Sequence, residues 1–584
     1  MRMRFLSSPR LAAGFLSLIV ASAGTVWAET AKIRILVTTD LHGNIYPYDY
    51  FTSQPANRGL AKIATLIADA RATSQNTLLI DCGDTIQGTP LEYVHQQSVA
   101  SGAIKKQAAV SDPMMAVMNL LRYDAMVLGN HEFNFGLVNL DKARNEAKFP
   151  WLSANTKPSS DSVRPFEPYL IKELAGVRIA IIGLTTPGIP QWEKPENFAG
   201  YSFAPGVEAA KRVVALVKEK EHPDLIVIAA HSGLDRNPKT GARFNQDLPG
   251  ENFVYQLGQE VEGVDVILFG HTHSEMSGIR LADALLVQPK NWGASLGQVD
   301  LRLERSTKSD GVPGPWQVAA KTSKLIPVTA QTQADDAVLK LAAPYHEAAL
   351  RYLNTPVTSA SASISAAAAR VEDTAILDAV HTVQLHEAKA DVSFASSFNP
   401  RATITKGKVT VREIAALYLY DNTLYAIEGN GKMVREALEN AARFYTGCED
   451  AACSSGAGIN KQFIGFNYDT AAGVSYEIDL TQPVGQRIRN LTFRGKALAD
   501  DQPLRIAVNN YRYGGSGGYT MFPGAKVLWR STAEIRDLII RYYSGKDNAK
   551  AILPEKADGN WRIVPEAARR RLIQESSAPV PNSQ

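Results

Sequence analysis

The 584-residue sequence predicts a layered α/β domain followed by a second domain of the α+β class. From residue 33 to about residue 325, short apolar runs such as IRILVTT, TLLIDCGD and AMVLGN alternate with helical patterns such as GLAKIATLIADARAT and PMMAVMNLLRY. This alternation is typical of layered folds in which helices cover largely buried strands. The chain is also too long for a single hydrophobic core, so two or more domains are expected.

Residues 1–28 have the pattern of a secretory signal peptide. Arg2 and Arg4 precede the apolar run LAAGFLSLIVASAGTVWA, and Val26 and Ala28 occupy the −3 and −1 positions of a cleavage site. A membrane anchor is the alternative, but the strongly apolar core is short, and no later stretch reaches the ~18 consecutive apolar residues that a span requires. We therefore expect cleavage after Ala28 and no stable membrane insertion.

The charge balance argues against binding of long nucleic acids. The whole chain has a formal net charge of +3, and residues 1–28 carry three arginines and no acidic residue, so the mature chain would be neutral. A neutral chain without a basic run gains little from counterion release. A small anionic substrate remains compatible with this composition, because bound metal ions would supply local positive charge.

The remaining elements define the domain boundaries. The runs WLSAN, VRIAIIGL, LIVIAAHSG, VDVILFGH and ALLVQP complete a first domain over residues 29–325. Residues 326–356 include the helical stretch QADDAVLKLAAPYHEAALRYLN, which we interpret as a linker helix. Strand-like runs (ADVSFASSF, TLYAIEG, SYEIDL, LRIAVNN) and helical runs (REIAALYLY, KMVREALENAARFY, TAEIRDLIIRYYSG) form a second region over residues 357–550. Residues 551–584 are expected to form a polar C-terminal tail that frays at its end.

The three cysteines indicate one local crosslink. Cys448 and Cys453 flank the short loop EDAA and would lie in an oxidising compartment, which favours a disulfide over two free thiols. Cys82 lies between Asp81 and Gly83, and we interpret it as a small buried packing residue rather than a nucleophile.

Five apolar runs of the first domain end in side chains that bind metals. The run AMVL is followed by Gly129, Asn130 and His131, at the type of strand end where open α/β sheets place their chemistry. The other four runs end in Asp40, His42 and Asn44; in Asp81 and Asp84; in His231; and in His271 and His273. Any one of these residues alone could be an ordinary polar turn residue, but the repetition indicates a single constellation.

The chemistry of this constellation suits two divalent ions. Asp40 and His42 are two residues apart in an extended segment, so their side chains point to the same side, and His271 and His273 repeat this spacing. Asp84 follows a glycine and is free to bridge. Carboxylate, imidazole and amide ligands suit Zn²⁺, Mn²⁺ or Co²⁺ better than Ca²⁺. Two such ions with a bridging carboxylate would make hydroxide available near neutral pH for attack on phosphorus.

The motifs D-x-H, G-D, G-N-H-E, a lone histidine and G-H-x-H, in this order, resemble those of the calcineurin-like metallophosphoesterases. Their longer forms DLHGN, GDTIQGTP, GNHEF and GHTH resemble the secreted 5′-nucleotidase family. The resemblance covers residues 33–545 and implies a four-layer α/β sandwich with a C-terminal nucleotide-recognition domain. It implies one metal site formed by Asp40, His42, Asp84 and His273, and a second formed by Asp84, Asn130, His231 and His271. It also implies that His131 is the catalytic residue near the leaving oxygen.

One departure from the family pattern is informative. The 5′-nucleotidases usually read GNHEFD, in which the aspartate orients the histidine and stabilises its charged form. This chain has Asn134 at that position, and an amide cannot supply the charge. GNHEFN instead resembles the 2′,3′-cyclic-nucleotide 2′-phosphodiesterase/3′-nucleotidase branch of the family.

The second domain contains two segments that resemble the nucleobase clamp of that branch, GFNYDTAAGVSYEIDL and AVNNYRYGGSGGY. A sequence-tolerant base site needs two aromatic faces, and stacking contributes ~1–3 kcal/mol per base. We predict that Phe466 and Tyr511 supply the two faces that stack on the base, and Tyr468 and Tyr513 are the next candidates. The alternative is that these rings belong to the hydrophobic core. The predicted substrate contacts are Phe466, Tyr511, Arg512, Tyr513, Gly514, Gly515, Asn399, Arg401 and Asn422. For Asn399, Arg401 and Asn422, the interpretation as solvated loop residues has equal weight with the interpretation as substrate contacts.

These observations lead to one functional interpretation. We expect a periplasmic, monomeric, dimetal phosphoesterase that opens 2′,3′-cyclic nucleotides to 3′-nucleotides and then releases nucleoside and phosphate. A 5′-nucleotidase or nucleotide-sugar hydrolase of the same family is the nearest alternative. A sulfur-oxidation hydrolase of the superfamily is disfavoured by the clamp aromatics. A non-catalytic nucleotide-binding protein is disfavoured because every expected ligand position is filled.

Overall fold

The computed structural model describes residues 28–102, 110–243, 248–307, 312–420, 422–450, 452–545 and 551–577. The predicted signal peptide, residues 1–28, lies outside the described residues except for Ala28, where the first strand begins. Within these ranges, no helix has both the length and the apolar character needed to cross a membrane.

The first domain is built from long buried strands and the helices that cover them. Its strands are β1 (Ala28–Thr38), β2 (Tyr48–Asp49), β3 (Gln54–Pro55), β4 (Thr77–Asp81), β5 (Ala125–Val127), β6 (Trp151–Leu152), β7 (Thr156–Pro158), β8 (Tyr169–Leu174), β9 (Val177–Thr185), β10 (Tyr201–Phe203), β11 (Leu225–His231), β12 (Val266–Phe269), β13 (Met276–Leu281), β14 (Ala284–Gln288), β15 (Ser295–Ser306) and β16 (Gln317–Pro327). Its helices are α1 (Leu60–Ala72), α2 (Pro90–Ala100), α3 (Pro113–Leu121), α4 (Gly136–Glu146), α5 (Ile189–Trp192), α6 (Gly206–Lys220) and α7 (Val254–Glu260).

Four layers make up this domain, as the family resemblance implies. One six-stranded sheet has the order β16-β15-β1-β4-β5-β6, and the other has the order β13-β14-β12-β11-β9-β8. A core of valine, isoleucine and leucine side chains from β1, β4, β9 and β11 fills the space between the sheets. Helices α1, α3 and α4 cover the outer face of the first sheet, and α6 and α7 cover that of the second. The strands read as near-continuous apolar runs because they are buried on both faces.

Helix α8 (Asp336–Leu353) is the predicted linker helix, and it packs on the first domain. Its side chains Val338, Ala342, Ala349 and Leu353 are buried in the same core as α1 and α3. Asp335 caps its N-terminus by accepting a hydrogen bond from the main-chain N–H of Val338 at 2.9 Å. The connection between the domains is therefore anchored to the first domain along its length.

The second domain is α+β, as predicted. Its strands are β17 (Pro356–Ala360), β18 (Ile364–Ser365), β19 (Val392–Ser396), β20 (Thr403–Ile404), β21 (Gly407–Thr410), β22 (Thr423–Asn430), β23 (Asp469–Ala472), β24 (Val474–Asp479), β25 (Ile488–Phe493), β26 (Lys496–Ala497), β27 (Pro503–Asn509), β28 (Val527–Glu534) and β29 (Trp561–Val564), and its helices are α9 (Ala375–Ala388), α10 (Val411–Ala415), α11 (Gly431–Ala442), α12 (Asn510–Tyr513), α13 (Ile535–Tyr543) and α14 (Glu566–Ser577). A five-stranded sheet, β23-β19-β27-β22-β28, separates a core around α9 and α13 from a core around α11.

The structure differs from the expectation that residues 551–584 form a C-terminal tail outside the second domain. Strand β29 pairs in parallel with β24, which places Trp561 beside Tyr476, and Leu572 of α14 is fully buried. The alternation of buried Trp561 and Ile563 with exposed Arg562 is the period of a half-buried strand, so a few apolar residues fix this segment on the domain. Residues 578–584 lie outside the described part of the chain.

The predicted disulfide is present. Cys448 and Cys453 are joined with a sequence separation of 5. Cys82 is a free and fully buried thiol, in agreement with a packing role.

Candidate active site

The strand ends that carry the predicted ligands meet at one edge of the two sheets. In the first sheet β1, β4 and β5 run parallel, and in the second sheet β9, β11 and β12 do the same, so the segments that follow their carboxyl ends come together. The backbone there is strained in a consistent way. Five ligand positions have left-handed φ values between 47° and 72°, namely Asp40, His42, Asp84, His271 and His273. Non-glycine residues rarely adopt this conformation, and such strain concentrates at functional sites.

Asp40, His42 and His273 form the first ligand group. The Nε2 atoms of His42 and His273 lie 3.1 Å apart, and His273 Nε2 is 3.5 Å from an Asp40 carboxylate oxygen. Thr39 donates a hydrogen bond to Asp40 at 2.7 Å, and the main-chain N–H of His271 donates to the same carboxylate. The carboxylate is thereby held in one orientation.

Asp84, His231 and His271 form the second group, and Asn130 completes it. His231 Nε2 lies 3.0 Å from Asp84 Oδ2 and 3.0 Å from Asn130 Oδ1. Asp84 Oδ2 also lies 3.9 Å from His42 Nε2, so this carboxylate stands between the two groups. The structure therefore brings together all seven predicted ligands, with Asp84 in the bridging position.

The hydrogen bonds of the histidines test whether these residues fit metal ions. The Nδ1 atom of His231 lies 2.7 Å from the carbonyl oxygen of Cys82, and that of His42 lies 3.1 Å from the carbonyl oxygen of Gln87. A carbonyl oxygen only accepts, so in the neutral form of both rings, the form that binds a metal, Nδ1 carries the hydrogen and Nε2 turns its lone pair into the site. Lone pairs, carboxylate oxygens and an amide oxygen then converge, which is the arrangement that a cation satisfies.

The electrostatics of the site agree with this interpretation. Burial lowers the pKa of His42 to about 4, so its ring is neutral at neutral pH and available as a ligand. Burial also opposes a charge on His231, yet the neighbouring Asp84 carboxylate raises the pKa of His231 to about 10. The Asp84 carboxylate therefore stabilises positive charge at the point where the second ion would bind. The donor set suits Zn²⁺, Mn²⁺ or Co²⁺, and the identity of the metal stays a prediction.

Glu132 supports the site and was missed in the sequence analysis, although it belongs to the GNHE motif. It is fully buried, and its carboxylate accepts main-chain hydrogen bonds from Gly129 at 2.7 Å, Asp84 at 3.0 Å and Thr85 at 2.6 Å. The two loops that carry Asp84 and Asn130 are therefore tied to the same carboxylate.

His131 lies beside both ligand groups. Its main-chain N–H donates to Asp84 Oδ1 at 2.8 Å, and its ring centroid is 5.2 Å from that of His42. Its Nδ1 atom contacts Asn134 Oδ1 at 2.5 Å, and its Nε2 atom lies 3.3 Å from the hydroxyl of Tyr511. His131 therefore presents Nε2 away from Asn134, towards the second domain.

A cavity of about 500 Å³ separates the metal groups from the second domain. The first domain contributes Asp84, Asn130, His131, His271 and His273 to its wall. The second domain contributes four of the predicted substrate contacts, Phe466, Tyr511, Arg512 and Asn422, and also Phe398, Tyr420, Asn467 and Asn509, which sequence reasoning missed. The rings of Phe398, Tyr420 and Phe466 follow one another with centroid distances of 5.0 and 6.4 Å. The cavity thus has a wall of potential metal ligands and an aromatic wall.

Two of the cavity residues are also engaged elsewhere. The Tyr511 ring is stacked on Trp192 of the first domain, with centroids 5.6 Å apart and an interplanar angle of 10°. The Arg512 guanidinium is buried and forms an ion pair with Asp469, with hydrogen bonds of 2.8 and 2.9 Å. It also donates to the carbonyl oxygen of Phe466 at 2.7 Å, so Arg512 holds the segment that carries Phe466.

Five other predicted contacts are not brought to this cavity. Tyr513 packs on Tyr425 with a centroid distance of 5.1 Å and lines a separate cleft. Gly514 and Gly515 approach Gln191 and Pro523 instead. The Asn399 amide donates to the carbonyl oxygen of Ala416 and accepts from the main chain of Arg401, which is itself exposed. Asn399 therefore holds a loop together through these two hydrogen bonds.

Comparison with known proteins agrees with this arrangement. The calcineurin-like phosphoesterase family matches residues 33–275, and the 5′-nucleotidase C-terminal domain matches residues 351–524. A 2′,3′-cyclic-nucleotide 2′-phosphodiesterase/3′-nucleotidase of Yersinia enterocolitica is 31% identical to this chain, and the match covers 94% of this chain and 90% of that protein. A trifunctional nucleotide phosphoesterase of Bacillus subtilis is 30% identical over 94% of this chain, but the match spans only 40% of that longer protein.

A solved structure extends the likeness to the whole fold. A candidate 5′-nucleotidase from Staphylococcus aureus, crystallised with α-ketoglutarate, superposes with a TM-score of 0.76 at 27% identity, and the match covers 91% of this chain and all of that one. With the ligand geometry, the two matched domains and relatives similar over nearly their full length, the chain belongs to the 5′-nucleotidase family of calcineurin-like metallophosphoesterases.

Proposed function

We propose that this protein is a periplasmic dimetal phosphoesterase that hydrolyses 2′,3′-cyclic nucleotides to 3′-nucleotides, and 3′-nucleotides to nucleosides and phosphate. One observation carries the proposal. A single cavity has Asp84, Asn130 and His131 on one wall and Phe398, Tyr420 and Phe466 on the opposite domain. A ligand with a phosphate at one end and a flat ring at the other matches these two walls.

Each part of the chain has a definite role in this proposal. When bound, two divalent ions would neutralise phosphoryl charge and activate a water molecule. Asp84 would bridge the two ions, since its carboxylate stands between the two histidine groups. His131 presents its Nε2 atom close to Tyr511, within the cavity, and would contact the leaving oxygen. The aromatic side chains would hold the base and so place the phosphate at the ligand groups.

The cyclic and 3′ specificity is supported by two findings. The relative from Yersinia enterocolitica, whose name states this activity, is 31% identical over nearly the whole chain. Asn134 stands where the 5′-nucleotidases have aspartate, and it contacts His131 directly. A 5′-nucleotidase is the second candidate, favoured by the likeness to the structure from Staphylococcus aureus. The periplasmic location is supported by the signal-peptide pattern of residues 1–28.

A substrate panel tests the proposal. The purified mature protein, loaded in turn with Mn²⁺, Co²⁺ and Zn²⁺, is assayed with 2′,3′-cyclic AMP, 3′-AMP and 5′-AMP. We expect higher kcat/KM for the first two substrates, and a loss of about 10²–10⁴-fold in kcat on substitution His131→Ala. Substitution of the exposed Asp161→Asn is the control and should change nothing. Preference for 5′-AMP would establish the second candidate instead, and nucleotide binding without hydrolysis under every metal would refute both.

A further inference from the structure

Asn134 connects His131 to a carboxylate that no sequence motif indicates. Its Oδ1 atom lies 2.5 Å from His131 Nδ1, and its Nδ2 atom donates a hydrogen bond to Glu193 Oε1. Glu193 follows helix α5 and is 59 residues away in sequence. The three side chains form a continuous hydrogen-bonded row that ends at the cavity.

Glu193 is buried and held from two sides. Glu193 is only 7% exposed. Its second carboxylate oxygen, Oε2, accepts a hydrogen bond from Asn197 Nδ2 at 2.9 Å. The same Asn197 amide donates to the main-chain oxygen of Asn134 at 3.1 Å. Burial raises the pKa of the Glu193 carboxyl, while the hydrogen bonds from Asn197 and Asn134 act in the opposite direction. Two amide donors thus face one carboxylate, which is the pairing expected for its ionised form.

The contact with Glu193 decides which way the Asn134 amide points. An ionised carboxylate only accepts hydrogen bonds, so the NH₂ group of Asn134 must face Glu193 and its oxygen must face His131. An amide oxygen also only accepts, so Nδ1 of His131 must carry a hydrogen. The nitrogen that faces Tyr511 and the cavity is then Nε2, whatever the charge of the ring.

We propose that Glu193 is a positioning residue that fixes the orientation of the Asn134 amide and, through it, the tautomer of His131. The inference rests on the proposed function only in assigning His131 to the reaction. In the GNHEFD pattern an aspartate carboxylate contacts the histidine directly. In this chain the carboxylate is that of Glu193, and the Asn134 amide lies between it and His131. A fixed tautomer matters because an imidazole with its hydrogen on the wrong nitrogen cannot present the same group to the substrate.

The arrangement makes a distinctive prediction about substitutions. Glu193→Gln replaces an acceptor by an amide that can present either oxygen or nitrogen, so Asn134 and His131 lose their imposed orientation. Asn134→Asp alone brings a half-buried carboxylate into contact with the buried carboxylate of Glu193, which is unfavourable. The double substitution Asn134→Asp with Glu193→Gln exchanges the carboxylate and the amide. The carboxylate at position 134 then accepts hydrogen bonds from His131 and from the amide at position 193. Nδ1 of His131 is again required to carry a hydrogen.

The test combines nitrogen NMR with kinetics on the Zn²⁺-loaded protein. In protein labelled with ¹⁵N at histidine, the imidazole ¹⁵N chemical shifts report which ring nitrogen carries the hydrogen. The His131 signals are identified as those missing from the spectrum of His131→Gln. We expect hydrogen on Nδ1 in the wild type and in the double variant, and a mixture in Glu193→Gln. For 3′-AMP we expect kcat to fall about tenfold in Glu193→Gln, with KM little changed, because Glu193 acts on His131 only through the Asn134 amide. The double variant should recover most of this loss.

Glu196→Gln is the matched control, since it removes the same charge from an exposed position three residues later. It should retain wild-type kinetics and the same His131 tautomer. Hydrogen on Nε2 alone in the wild type would overturn the proposal, as would an unchanged tautomer in Glu193→Gln or a double variant no better than Glu193→Gln. The NMR result does not depend on turnover, so failure of the proposed function would be recognised separately by the substrate panel.

Discussion

Substitution Phe466→Ala should separate recognition of the base from the hydrolytic chemistry. Phe466 lines the cavity on the second domain and is 40% exposed, so much of its ring is available to a ligand. A phenylalanine side chain buries ~200 Å² when fully covered, so the exposed part corresponds to ~80 Å². At ~25 cal/mol per Å² its burial by a base contributes ~2 kcal/mol. This value lies within the ~1–3 kcal/mol measured for base stacking on aromatic residues.

We therefore expect the Kd for 3′-AMP to rise about 30-fold in Phe466→Ala, since ~1.4 kcal/mol corresponds to tenfold. The assay is calorimetric titration of the metal-loaded His131→Ala background, which removes turnover, with and without Phe466→Ala. Hydrolysis of bis-p-nitrophenyl phosphate by the otherwise wild-type Phe466→Ala enzyme should be nearly unchanged, because this substrate has no nucleobase.

Phe493→Ala is the matched control, because Phe493 lies on β25 under the guanidinium of Arg494 and is not part of the cavity wall. It should leave nucleotide affinity unchanged. Equal losses on the nucleotide and on bis-p-nitrophenyl phosphate in Phe466→Ala would show that this ring only supports the local structure, and the assignment of the aromatic wall would fail.

Three further predictions concern the ligand groups and the stability of the second domain. Asp84→Asn should remove most activity and weaken both metal sites, because one carboxylate stands between the two histidine groups; elemental analysis showing two ions retained with wild-type turnover would contradict this. Burial, with repulsion from Asp373 and Asp558, raises the pKa of Asp378 to about 7, so its ionisation destabilises the fold increasingly as pH rises from about 4 to about 7. After allowance for solvent screening, Asp378→Asn should therefore stabilise the second domain by about 1–2 kcal/mol above pH 7 and have no effect at pH 4. Calorimetric melting at the two pH values distinguishes this result from a pH-independent change in stability. Replacing Cys448 and Cys453 by serine should cost about 2 kcal/mol, given the short loop that they close, and chemical denaturation of the oxidised wild type against the variant measures it.

The ligand constellation could be predicted from the sequence because each ligand stands at a short, fixed distance from the end of an apolar run. Parallel strands align their carboxyl ends, so local patterns such as those around Asp40, Asp84 and His231 already imply that the side chains meet. The layered α/β character follows from the same alternation of strands and helices, whereas the arrangement in four layers was implied by the family resemblance. The small number of apolar residues after residue 551 gave too weak a signal for strand β29, which depends on its pairing with β24.

The substrate wall was harder to predict because the direction of an aromatic side chain is a tertiary property. Tyr511 and Tyr513 both lie in helix α12, and residues two apart on a helix point to opposite sides. Tyr511 therefore faces the cavity while Tyr513 packs on Tyr425. Phe398 is adjacent to the predicted contact Asn399, and Tyr420 lies two residues before the predicted contact Asn422, but the sequence did not show which side chains of these loops face the cavity. Glu193 is a similar case, since its contact with Asn134 bridges 59 residues.

In the proposed mechanism, two metal ions flanking Asp84 act on a phosphate whose nucleoside is held by the second domain. Anomalous diffraction at the manganese edge, from crystals of Mn²⁺-loaded His131→Ala protein soaked with 3′-AMP, tests it most directly. We expect two peaks about 3.5–4 Å apart on either side of Asp84, with the phosphate between them and His131 and the adenine against Phe466. A single peak, or an adenine bound outside the aromatic wall of the cavity, would contradict it.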